Sequence, residues 1–374
     1  MSTPRLEIDL EKITHNARKL KDLYAQSGID LMAVTKTVCG DPNVVDALLK
    51  SGISMLADSR ILNIKKIYHS DVKSQLVLLR SPMVSEAHEV VRYADISFNS
   101  EISVIEYLST IAVSLNKVHR IILMVELGDL REGVLPEDVE NTVEKIIQLN
   151  GIELIGLGTN LACQAGIAPD DQNMMYLSAI SMNIEAKFGI HLKMISGGNS
   201  ANYRWFKKTK LIGKINNLRL GESIYLGREP LHREAIPGLF TNAFRLVAEV
   251  IESKKKPSVP TGTQIQNAQG DCHRYQNSGL MNRALLGIGI QDVLTSGLMP
   301  ESDFEIVGAS SDHMILNTKS RILKIGEEVT FSLNYTALVS AMTSPYVTKI
   351  YGRTIELSGV LQNSGSKSST HTAA

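Results

Sequence analysis

Three cysteines in 374 residues, Cys39, Cys163 and Cys272, lie more than 100 positions apart. That spacing leaves neither a CxxC clip for a metal nor a framework of disulfides. Net charge is missing as well, since 39 basic residues stand against 39 acidic ones. Such a balance supplies no field to draw in nucleic acid or an anionic membrane surface. Long apolar runs are also absent: stretches such as Ile121 to Val125 fall far short of a bilayer's width. The start, Met1-Ser2-Thr3-Pro4-Arg5-Leu6-Glu7, carries charge where a secretory signal needs an apolar core. A reducing cytoplasm is the expected setting.

What is present is an ordinary globular composition, 43% hydrophobic and 21% charged, in a chain long enough for one large unit and a smaller one. Up to about residue 232, short apolar runs alternate with helical stretches. The runs are Leu31 to Val34, Ile53 to Ala57, Leu76 to Leu79, Ile96 to Phe98, Ile121 to Val125, Leu154 to Leu157 and Leu192 to Ile195. Ile13, Ala17, Leu20 and Tyr24 share one face of a helix over 11–25, as do Val139, Val143 and Ile147 over 136–149. Strict alternation implies parallel strands joined by right-handed crossovers. Seven or eight units in this length suit a closed (β/α)8 (TIM) barrel, with an open doubly wound sheet as the alternative.

After about residue 240 the texture changes. Phe244 to Ile251, Arg283 to Ile290, Phe304 to Val307, Met314 to Leu316 and Val329 to Leu333 read as strands, with Gly, Pro, Asn and Ser between them. The expected organisation is an α/β barrel over 1–235, a smaller all-β domain over 236–360, and a polar tail over 361–374 that cannot bury apolar surface.

Function is expected where barrel strands end. Lys36 closes the apolar run from Asp30 and is followed by Cys39-Gly40-Asp41-Pro42. A desolvated lysine there would lose its proton readily and act as a Schiff-base amine. Near the last strands comes Ser196-Gly197-Gly198-Asn199-Ser200, which suits an anion but on its own reads first as a plain glycine turn with an N-cap. A second glycine-bearing segment, Asn217-Leu218-Arg219-Leu220-Gly221-Glu222, adjoins it. Val125-Glu126-Leu127-Gly128-Asp129-Leu130-Arg131-Glu132-Gly133 reads either as site or as a solvated charged loop. Gly308-Ala309-Ser310-Ser311-Asp312-His313 reads as site or turn, and Tyr335 as site or ordinary sheet residue.

These segments, with Val34-Thr35-Lys36 and Asp58-Ser59-Arg60, resemble the alanine/ornithine racemase family of fold-type III pyridoxal-phosphate enzymes, in order from about residue 4 to 352. The resemblance implies that Lys36 holds pyridoxal 5'-phosphate and moves a proton. It implies that Arg131 reaches the cofactor's phenolic oxygen and that Asn160 stands where alanine racemases place a histidine. The backbone around Ser200 and Gly221, with the Tyr335 hydroxyl, would hold the phosphate, and Ser196, Gly197, Asn199 and Glu222 would also bind the cofactor. Arg219 would face the pyridine nitrogen and, always protonated, would leave that nitrogen unprotonated, favouring return of a proton to Cα.

Two departures accompany the likeness. Alanine racemases carry a second base, a tyrosine from the other subunit, where this chain has Ile290, and a tyrosine four residues after the lysine where it has Gly40. Ser311, His313 and Cys163 are the candidates for the second acid/base. Asp312 aligns with an aspartate that meets the distal amine of diamino substrates in related decarboxylases. The implied activity is racemisation of a basic amino acid, ornithine first, by a homodimer with shared sites. The rivals are a decarboxylase on the same scaffold and a non-catalytic pyridoxal-phosphate carrier.

Overall fold

The computed structural model describes residues 2–266, 270, 272 and 275–352. Strand β1 (Arg5–Ile8) leads into helix α1 (Leu10–Ala25), whose first turn is capped by the Asp9 carboxylate accepting from the Lys12 N–H at 3.1 Å. Eight strands follow: β2 (Asp30–Val34), β3 (Met55–Asp58), β4 (Gln75–Leu78), β5 (Ile96–Asn99), β6 (His119–Met124), β7 (Ile152–Gly158), β8 (Met194–Asn199) and β9 (Asn217–Leu220). Each pairs in parallel with the next, and β9 pairs back to β2 with Met32 opposite Arg219, so the barrel is closed. The open-sheet alternative is thereby excluded.

Side-chain alternation gives the barrel an inner and an outer face. Met32, Val34, Ala57, Val77, Phe98, Ile122 and Met124 fill the lumen. Leu31, Ala33, Leu56, Leu76 and Leu78 face outward into the core shared with the helices. Helix α1 covers β2, helix α2 (Pro42–Lys50) packs on α1, and helix α3 (Ile61–Tyr68) packs on β3 and β4; Asp41 caps α2 through the Asn43 and Val44 N–H groups.

The second layer is a sheet of β10 (Phe244–Pro257), β11 (Leu280–Leu286), β12 (Leu298–Pro300), β13 (Glu305–Ala309), β14 (Met314–Asn317), β15 (Glu328–Leu333) and β16 (Thr348–Tyr351). β1 belongs here as well. It runs antiparallel to β10, with Leu6 opposite Leu246, and parallel to β16. The expected first unit, 1–235, therefore gives way at its start: Leu6 and Ile8 are fully covered only by joining the β layer. The layer also contains a helix, Tyr335–Thr343, capped by Asn334 accepting from the Ala337 N–H at 2.9 Å. That helix packs on the turn Lys36–Val38 and so brings the second layer to the barrel mouth. The expected tail, 361–374, lies outside the described residues.

Candidate active site

A cavity of about 690 Å³ opens at the carboxyl ends of the barrel strands, where this architecture gathers its chemistry. Lys36, Arg131, Asn160, Cys163, Asn199, Ser200, Arg219, Gly221, Glu222 and Tyr335 all line it. Among the described residues no carboxylate is ion-paired with Lys36, whose Nζ lies 6.0 Å from the centre of the Tyr335 ring. The lysine opens a short 3-10 turn that ends in two left-handed residues, Cys39 (φ 54°) and Gly40 (φ 56°).

Two buried carboxylates shape the loops on the far side. Glu126 accepts from the N–H groups of Gly128 (2.5 Å), Leu130 (3.0 Å) and Arg131 (3.1 Å), bending the chain so that Arg131 meets the cavity. Gly133 is obligatory in that bend: at φ 148°, a Cβ would stand 2.4 Å from the Glu126 nitrogen. The Arg131 side chain pairs with Glu132. Asp129, with no exposed surface, gathers the N–H groups of Cys163 (3.1 Å), Gln164 (2.8 Å) and Ala165 (3.1 Å), fixing the loop after β7. The charged-loop reading of this segment is thus wrong for Glu126 and Asp129, whose charges face inward to backbone donors.

Arg219 is held from both sides. One terminal nitrogen donates to Ser196 Oγ at 2.6 Å, the other to the Thr159 carbonyl at 2.7 Å and Asn160 Oδ1 at 3.1 Å. Its guanidinium carbon lies 5.0 Å from the centre of the Phe98 ring. Burial pulls its pKa down to about 10, which still leaves it protonated at neutral pH. Asn199 ties β8 to the loop after β7, donating to Asn160 Oδ1 (3.1 Å), the Leu161 carbonyl (2.9 Å) and Cys163 Sγ (3.6 Å). Ser200 Oγ sits 3.0 Å from Ser223 Oγ. Glu222 pairs with Arg233, and burial pushes its carboxyl pKa up.

Some expected residues stand elsewhere. Ser196 and Gly197 back the wall and do not line the cavity: Ser196 braces Arg219, and a Cβ at 197 would come 2.7 Å from Ile215. Gly198 is demanded by the Asn202 amide, which caps the Asn199 N–H, so the glycine pair serves packing. Ser311, Asp312 and His313 lie on the turn between β13 and β14, away from the cavity wall of this chain. Ser311 and Asp312 are exposed, and Asp312 Oδ1 is 3.0 Å from His313 Nδ1. Sequence reasoning misses Arg80 and Arg233, yet both line the cavity. Arg80 closely follows the end of β4, the same placement that marks Lys36. Among the described residues there is no cluster of His, Cys, Asp or Glu that could hold a metal, and no helix long and apolar enough to cross a membrane.

Comparison with known proteins places the whole chain. Residues 8–229 match the family described as alanine racemase, N-terminal domain. The ornithine racemase of Acetoanaerobium sticklandii is 40% identical over 350 residues, 92% of this chain and 99% of that protein. The lysine racemase of Thermotoga maritima is 36% identical over 353 residues, 94% and 99%. Among solved structures, the alanine racemase of Streptomyces coelicolor A3(2) superposes with a TM-score of 0.73 at 16% identity, covering 93% of this chain and 98% of that one. A D-threonine aldolase from Filomicrobium marinum gives 0.72 at 14%, covering 94% and 91%, so these neighbours speak for the fold alone. The family model and the two full-length relatives carry the assignment: the chain belongs to the alanine racemase family.

Proposed function

We propose that this chain is a pyridoxal 5'-phosphate-dependent racemase of a basic amino acid, ornithine first. The observation that carries the reading is Lys36, free of any ion pair among the described residues, in a cavity with four arginines and only two carboxylates. The excess positive charge suits a phosphate and an α-carboxylate. Asn160 Nδ2 is buried at the wall with no partner, a donor left for a ligand's acceptor. The residues present therefore fit the cofactor. Lys36 would bind it covalently, Arg131 would meet its phenolic oxygen, and the Tyr335 hydroxyl and the backbone at Ser200 and Gly221 would hold its phosphate.

When bound, the cofactor supplies the electron sink that acidifies the substrate's Cα–H. Lys36 takes or returns the Cα proton on its own side. Arg219 keeps its proton at neutral pH and offers only donors, which limits electron withdrawal and favours proton return over transamination. Cys163, a thiol that lines the cavity, is this chain's candidate for exchanging the second proton. Ser311, Asp312 and His313 serve a cavity only if a second copy lends them, so the reading includes a homodimer with shared sites, working in the cytoplasm.

Chiral chromatography after incubation with pyridoxal phosphate and L-ornithine, L-lysine, L-arginine or L-alanine tests the proposal. The mirror-image amino acid, fastest from ornithine, is the expected product. A diamine in its place makes the protein a decarboxylase. Bound cofactor with no turnover of any amino acid makes it a carrier.

A further inference from the structure

The Asp58-Ser59-Arg60 motif has no place in the chemistry above, yet it abuts Lys36. β2 and β3 pair with Val34 opposite Ala57, and the ladder continues one step further through the Thr35 N–H donating to the Ala57 carbonyl at 2.8 Å. Thr35 and Asp58 are thus neighbours across the ends of the two strands, both with no exposed surface. The Thr35 hydroxyl donates to Asp58 Oδ2 at 2.7 Å, while Asp58 Oδ1 accepts from the Arg60 N–H at 2.9 Å and Asn63 Nδ2 at 3.1 Å.

Three donors converging on two oxygens suit a carboxylate, offsetting the burial that pushes the Asp58 pKa up. Among the described residues no lysine or arginine is ion-paired with Asp58, so the charge is sustained by hydrogen bonds alone. Thr35 in turn anchors the turn beyond β2. Its carbonyl accepts the N–H of Val38 (3.0 Å) and of Gly40 (3.2 Å), the two bonds that curl the chain immediately after the strand. Strand alternation ceases there, because Thr35 has already left the extended region (φ −91°, ψ −3°). What directs the next side chain, Lys36, into the cavity is therefore the fixing of Thr35.

We propose that Asp58, acting through the Thr35 hydroxyl, is the positioning group that locks the turn of residues 36–40 and aims Lys36 into the cavity. This rests on Lys36 being the reactive amine. It makes Asp58, which does not line the cavity, a second-strand brace for the first-strand lysine.

The test compares Thr35→Val, which keeps the shape and deletes the hydroxyl, with Thr35→Ser, which restores it. The first readout is amide hydrogen exchange across residues 36–41 in protein without cofactor. The second is the rate at which added pyridoxal phosphate attaches to Lys36, followed by imine absorbance and by borohydride-fixed mass on that residue. Thr35→Val is expected to speed exchange and slow attachment, each by about tenfold, the order set by losing a hydrogen bond to a carboxylate. Thr35→Ser is expected to stay within about threefold of the parent on both.

Asp58→Ala should match Thr35→Val in exchange, and if it does not fold the Thr35 pair decides. The inference is overturned if Thr35→Val behaves as the parent on either readout, or if Thr35→Ser fails as fully as Thr35→Val. Should the parent protein itself attach no cofactor, the racemase reading falls, and the exchange measurement alone decides whether Asp58 and Thr35 lock the turn.

Discussion

The barrel mouth and the β13–β14 turn both carry acidic residues beside candidate catalytic groups, and the chain treats them in opposite ways. At the mouth, Asp58, Glu126 and Asp129 are buried, and each collects several N–H or O–H donors from its own chain. At the turn, Asp312 is exposed and its side-chain partner is the neighbouring His313. A buried carboxylate ringed by donors fixes geometry, because moving it strands several polar groups at once. An exposed pair on a turn fixes little. One region is a cavity whose loops are fixed from within a single chain, and the other is a surface whose chemistry depends on what is brought to it.

The largest break in that comparison comes from Lys36→Ala. On the racemase reading this change removes both the attachment point and a proton carrier, so turnover of ornithine should fall by about a thousandfold or more. Chiral chromatography of equal amounts of folded protein measures it. A fall of less than about tenfold would move the reactive amine elsewhere.

Asp129→Ala should cost about 3 kcal/mol of stability, since the N–H groups of Cys163, Gln164 and Ala165 lose their acceptor together. Asp312→Ala, on the turn, should change stability by less than about 0.5 kcal/mol. Denaturant midpoints of the two variants side by side give the contrast directly. Equal midpoints would mean that burial of the first carboxylate confers no structural role.

How much of this was legible tracks the same division. Seven of the barrel strands announced themselves as apolar runs. β9 did not, because its four residues, Asn217-Leu218-Arg219-Leu220, alternate polar and apolar although all four are buried. The polar ones face the Ser196 and Asn160 network, and nothing local in the sequence signals that. Lys36 was legible from its place at the end of a buried strand. Glu126 and Asp129 were not, since a charged loop looks the same whether its carboxylates face water or backbone N–H groups. β1 was misplaced because its partners, β10 and β16, stand more than 230 residues further along the chain.

His119 extends the contrast into the barrel wall. It is buried, its Nε2 lies 2.8 Å from Ser97 Oγ, and burial lowers its pKa from 6.5 to about 4. Above pH 6.5 the ring is neutral folded and unfolded, and stability is unaffected. As pH falls from 6.5 to 4 the unfolded chain takes up a proton that the folded chain refuses, so stability declines by roughly 3 kcal/mol and then levels. His119→Asn should flatten this part of the stability profile between pH 7 and 4. An unchanged slope would assign the acid sensitivity to other groups.

The smallest effect sharpens the comparison most, because it asks whose cavity the exposed turn serves. If Asp312 meets the distal ammonium of ornithine, Asp312→Asn should lower kcat/KM for ornithine by about tenfold and leave alanine unchanged. Mixing that variant with Lys36→Ala after dissociation and reassembly then separates two geometries. With sites shared across a two-fold dimer, each mixed pair holds one site carrying both defects and one carrying neither, so an equal mixture recovers roughly a quarter of the parent activity at low ornithine. With the turn serving its own chain, every Lys36 that remains is matched with a defective Asp312, and the mixture stays near a twentieth. A value at that lower level would return the β13–β14 turn to the same chain's site and remove the need for a second copy.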